Sequence, residues 1–130
     1  MTEEQKDILI KDLCARLDTN LVCSIYRVDD YGVGYRDEIL SGYCKGDIWR
    51  EFYFGDDCGI AIDDVSKIKP YLFPLSMSSM TEEQKEDMVK SSCGIGSDKN
   101  VFDWYNKNHF DYRGLIPMGL AKDATGLNIY

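Results

Sequence analysis

LVCSIYRVDDYGVGYRDEILSGYCKGDIWREFYFGDDCGIAID, residues 21–63, is dense in β-branched and aromatic residues and is cut into short runs by turn residues. The cuts are Asp29-Asp30-Tyr31-Gly32, Lys45-Gly46 and Gly55-Asp56-Asp57. Glycine admits left-handed backbone, and Asp bonds its own turn, so these positions reverse the chain. Breaks this short join antiparallel neighbours. The stretch therefore predicts a meander with strands over 21–28, 33–43, 47–54 and 58–63. In the third run Ile48, Phe52 and Phe54 alternate with Trp49, Glu51 and Tyr53. A period of two puts one set in the core, where Arg50 interrupts it, and the other on the outer face. That outer face carries two large aromatics flanking an acid. Four strands do not close a sandwich, so the alternative closure is a small half-open barrel covered by helices.

Upstream, residues 2–17 read as a helix, with Ile10, Leu13, Cys14 and Leu17 on one apolar face. Thr2 and Gln5 form a capping box, and Glu3 and Glu4 complement the positive end of the helix dipole. The hexapeptide MTEEQK occurs at 1–6 and again at 80–85, so Thr81 and Gln84 repeat the box. The two copies diverge at once, into Asp7-Ile8-Leu9-Ile10 and Glu86-Asp87-Met88-Val89. The repeat is thus a reused helix start and not a duplicated domain, and residues 1–130 read as a single domain.

Downstream, 65–75 holds Pro70 and Pro74 and reads as an extended strap, and 91–100 reads as the flexible loop. A short helix is expected near 101–108, and 112–121 reads as irregular or helical, limited by Pro117. The expected fold class is α+β: an N-terminal helix, a four-stranded antiparallel meander and a helical C-terminal third.

With 44% hydrophobic and 29% charged residues the chain is globular and not disordered. A formal net charge of −8 opposes phosphate backbones and anionic membrane surfaces, so neither nucleic acid nor membrane is an expected partner. The polar start is no signal peptide, and no apolar run reaches membrane-span length. Five cysteines without a C-x-x-C spacing suggest reduced thiols in the cytoplasm, with Cys14 buried on the first helix and Cys93 the most reactive.

Three stretches, DLCARL (12–17), KIKPYLFPLSMSSMTEEQKED (67–87) and FDWYNKNHFDYRGLIPMGLA (102–121), carry a resemblance. The chain resembles a family of small uncharacterised proteins from gut anaerobes, their phages and mobile elements. It departs at Asp18-Thr19-Asn20, where a Pro-Tyr-Gly-like turn would stand. The resemblance supplies no activity. It implies a phage or mobile-element setting, in which small interaction modules and inhibitors of host machinery are common.

The residues offer little chemistry. His109 is the single histidine, and the cysteine spacings match no zinc pattern. Gly32-Val33-Gly34 and Gly94-Ile95-Gly96 complete no phosphate loop. The pairs Asp29-Asp30, Asp56-Asp57 and Asp63-Asp64 fall at turns, and neighbours on a strand point to opposite faces. No catalytic set, metal or cofactor is expected. The reading that remains is an acidic protein-interaction module, an inhibitor or adaptor. Its binding residues are Trp49, Glu51 and Tyr53 on the third strand, or Asp111, Tyr112 and Arg113 in an aromatic cluster near Trp104, Tyr105 and Phe110. Self-association through either surface is open. The alternatives are a nucleic-acid mimic meeting a basic partner, and a hydrolase or transferase using Cys93.

Overall fold

The computed structural model describes residues 1–29, 32–46, 50–55, 58–76, 80–91 and 97–130. Trp49 and Cys93 lie outside the described residues. Helix α1 (Glu3–Ala15) is followed by strands β1 (Val22–Asp29), β2 (Gly32–Lys45), β3 (Arg50–Phe54) and β4 (Cys58–Ala61). A 3-10 segment (Ile62–Lys67) leads into β5 (Ile68–Pro74). Helices α2 (Glu82–Ser91) and α3 (Ser97–Lys107) and short strands β6 (Phe110–Asp111) and β7 (Lys122–Asp123) complete the order.

The repeated hexapeptide starts a helix both times. Thr2 Oγ1 accepts the Gln5 N–H at 3.1 Å, and Gln5 Oε1 accepts the Thr2 N–H at 3.0 Å. Thr81 and Gln84 do the same at 3.1 and 2.9 Å. Each box satisfies helix-start donors that the helix itself leaves open, and is worth about 1 kcal/mol.

The fold is α+β, but the sheet is larger and more varied than expected. Its strands pair in the order β4-β3-β2-β1-β5-β6, with β7 also paired to β5. Strands β1 to β4 form the antiparallel meander. The expectation of four strands fails, because among the described residues the sheet has seven and is mixed: β6 and β7 run parallel to β5. It is open, so no half-open barrel forms. The segment read as a strap is β5, which pairs with β1. Its prolines explain the misreading. Main-chain groups of successive strand residues point to opposite edges. Tyr71 O turns toward β1, where a hydroxyl links it to Val22 N–H, so Pro70 and Pro74 point to the other edge. Their missing N–H groups break no bond to β1.

The C-terminal third is not helical throughout. Beyond α3 it is turns and short strands, punctuated by left-handed residues at His109 (φ 63°), Gly114 (φ 76°) and Gly119 (φ 75°).

The core lies between the front face of the sheet and α1. Leu9 and Leu13 meet Cys23, Ile25, Phe52 and Phe54 there. The buried face of α1 is turned by one position from expectation. It is Leu9, Asp12, Leu13 and Arg16, all fully buried, at the helical spacing i, i+3, i+4, i+7. Two opposite charges that bind each other can occupy an apolar stripe. Cys14 is consequently half-buried, and among the described cysteines the buried one is Cys23. Cys14, Cys23 and Cys44 are free. No helix among the described residues is long and apolar enough to cross a membrane.

Candidate functional site

The antiparallel part of the sheet, β1 to β4, packs one face on the core and can leave its other face to water. Cross-strand partners share a face, so the register identifies the residues opposite the core. Leu40 and Phe54 are partners and buried, and Cys23 and Ile25 on β1 are buried core positions too. The residues between them therefore face away. On β3 these are Glu51 and Tyr53, both half-buried, so this part of the expected surface lies on the back face. Glu51 lies over Gly59, where a Cβ would come 2.6 Å from its Oε2. The Tyr53 phenol is held above its ordinary range, chiefly by its hydrogen bond to the Glu51 carboxylate.

The back face extends well beyond β3. Val33, Tyr35, Asp37 and Ile39 follow each other along it on β2, opposite Val28, Tyr26, Ser24 and Val22. Four of these are large apolar side chains left open to solvent: Val28 at 68%, Val33 at 64%, Tyr35 at 63% and Ile39 at 49%. Tyr26 and Tyr35 meet edge to face at 5.3 Å. Lys122 Nζ sits 5.2 Å from the Tyr35 ring centre and 5.8 Å from that of Tyr71. Tyr71 donates to Asp37 Oδ1 at 2.9 Å, and burial, then this carboxylate, raises its pKa. The sequence reading missed Val28, Val33, Tyr35 and Ile39. The period of two along 33–39 was the available signal.

The second expected surface has a different character. Asp111 is buried, and its two oxygens accept the N–H groups of Leu115 and Ile116 at 2.8 and 2.9 Å. It holds the turn that follows. Arg113 Nη1 donates to Asp12 Oδ1 at 2.9 Å. The Tyr112 ring lies 5.6 Å from Tyr105 and carries the Arg113 guanidinium at 4.5 Å and that of Arg16 at 5.5 Å. Trp104 stacks on buried Phe110 at 5.6 Å. These residues bind α3 and the following segment to α1.

Two depressions accompany these surfaces. One, of about 280 Å³, is lined by Pro74, Leu75, Asp111, Gly114, Ile116 and Pro117, and its acid already holds the turn amides. The other, of about 250 Å³, lies between α1 and the 3-10 segment, where Lys6 reaches Asp63 at 3.5 Å. Among the described residues no three His, Cys, Asp or Glu side chains are grouped to hold a metal ion. Comparison with protein-family models, with curated proteins and with solved structures returns no match.

Proposed function

We propose that this chain is a small acidic protein-interaction module whose binding face is the open back of the sheet. One observation carries the reading: Val28, Val33, Tyr35 and Ile39, all exposed, lie together on that face, and Glu51 and Tyr53 adjoin them. Large apolar side chains grouped on one face mark interaction surfaces, and tyrosines among them supply rigid anchors. The cluster of Asp111, Tyr112 and Arg113 fits a supporting role better, because Asp111 and Arg113 are bonded within the chain and the Tyr112 ring lies against Tyr105. A nucleic-acid mimic needs a row of acids on an open face, whereas this face sets Asp37 and Glu51 beside Lys69 and Lys122. A cytoplasmic setting follows from composition, and a phage or mobile-element setting from the resemblance alone.

Affinity capture from the native host tests the reading. Tyr35→Ala and Tyr53→Ala should each abolish a partner that the wild-type chain retains at high salt. A partner held equally by both variants and released by salt would overturn it in favour of charge-led binding.

A further inference from the structure

Beyond the body of the sheet the β1–β2 hairpin continues as a two-stranded arm. Among the described residues β5 pairs with β1 over Cys23, Ser24 and Ile25, and β3 meets β2 from Leu40 onward. Leu40 N–H donates to Leu21 O at 2.8 Å, so Leu40 and alternate residues before it turn their main-chain groups toward β1. Ile39, Asp37, Tyr35 and Val33 turn theirs outward. Ile39 O is taken by Gly55 N–H at 3.2 Å. Among the described residues no strand pairs with the outward groups of Val33, Tyr35 and Asp37.

We infer that this edge pairs with the same edge of a second copy of the chain, antiparallel and about a two-fold axis at Tyr35. The inference rests on reading the open back of the sheet as a binding face. The register follows from the free stretch itself, since Tyr35 is the middle of its three outward residues. Tyr35 then faces the partner's Tyr35, and Val33 faces the partner's Asp37. All three residues on each chain exchange main-chain bonds, about six in total. Centring on Gly34 pairs only Val33 and Tyr35 among the described outward residues and loses about two of the six bonds. Centring on Arg36 or on Asp37 sets like charges directly opposite, which destabilises a pair. On the back face the chosen register joins the apolar strips of the two copies, with Val33 and Tyr35 at the junction. Among the described strand residues of that face Asp37 and Glu51 are matched by Lys69 and Lys122, so the repulsion between copies comes from the rest of a chain that carries −8. An edge this short buries less than the roughly 800 Å² per partner of a stable complex, so the dimer is weak. Salt strengthens it by screening the repulsion between two acidic chains.

Amide hydrogen exchange on the full chain, at low micromolar and at millimolar concentration, tests this. Val33, Tyr35 and Asp37 should exchange about tenfold more slowly at the higher concentration, and more so in salt, while Gly34 and Arg36, turned toward β1, should not change. Equal rates for the outward amides at both concentrations would overturn the inference. Tyr35→Lys places two like charges at the axis and should remove the concentration dependence, as should Tyr35→Glu. Tyr53→Lys lies off the edge and should keep it, even where it abolishes partner capture. Loss in all three variants, or in none, would count against the edge. The capture assay and the exchange assay thus fail separately.

Discussion

Asp12 and Arg16 stand one turn apart on α1, both fully buried, joined by Nε to Oδ2 at 3.0 Å and by Nη2 to Oδ1 at 3.1 Å. The same guanidinium donates to Phe110 O from Nη2 and to Tyr105 O at 3.4 Å from Nη1. Arg113 adds a second cation to Asp12 at 2.9 Å. One carboxylate in the first helix therefore organises a segment about a hundred residues later.

Removing that carboxylate should be among the most damaging single changes. Asp12→Ala leaves Arg16 buried without its counter-charge, which costs about 3–5 kcal/mol. Asp12→Leu combined with Arg16→Met removes both charges and should lose less than Asp12→Ala alone. Arg113→Ala should cost less still, because its side chain is 26% exposed and water can compensate. Urea midpoints at an unchanged m-value measure the order. A double variant weaker than the single one would refute the account.

His109 supplies an acid-sensitive position. Its ring is buried, stacks on Tyr130 at 3.7 Å, and its Nδ1 has no hydrogen-bond partner among the described residues. Burial, and secondarily the Arg16 charge, lower its pKa from 6.5 to about 4. Between these values the unfolded chain binds more protons than the folded one, so stability should fall as pH drops through the window. His109→Asn tolerates the positive φ of 63° and removes the titration. Urea midpoints near pH 7 and pH 5 should fall further for wild type than for this variant. An equal fall in both would show that other groups carry the acid sensitivity.

Local chemistry made much of this architecture legible. Thr2 with Gln5, and Thr81 with Gln84, are contacts within a few residues, and Gly32 and Gly55 take the positive φ that turn glycines allow. What escaped depends on distant partners. The helix face could not be placed correctly without knowing that Asp12 and Arg16 neutralise each other inside the core. Pro70 and Pro74 argue against a strand until it is known which edge their nitrogens face. On β2 the alternation of Val33, Tyr35 and Ile39 resembles a core face. The sheet instead buries Leu40, and a register irregularity between Leu40 and Gly42 lets Tyr43 pack inward later in the strand. At the candidate site, Glu51 and Tyr53 could be read from their alternation with buried Phe52 and Phe54. The cluster of Asp111, Tyr112 and Arg113 was visible as a cluster, but its contacts to α1 were not. Its key acid, Asp12, lies 101 positions from Arg113.

Tyr130 closes the gap where the β1–β5 ladder ends. Its hydroxyl accepts Val22 N–H at 2.9 Å and donates to Tyr71 O at 2.8 Å, bridging the two strands one position past their last pair. The ring rests on His109 at 3.7 Å and near Phe73 at 5.8 Å, so the apolar contacts do not depend on the hydroxyl. Tyr130→Phe should keep those contacts and lose the bridge, at about 1 kcal/mol. The Val22 amide should then exchange faster, while Ser24, within the ladder, should not. Burial, the largest influence, raises the phenol's pKa above the ordinary value of 10.0. The folded state then holds the proton more tightly than the unfolded chain, so wild type should lose stability as pH rises through about 10. Tyr130→Phe should lack this contribution. If the Val22 amide exchanges at the same rate in both proteins and their alkaline profiles coincide, the hydroxyl is not the link between β1 and β5.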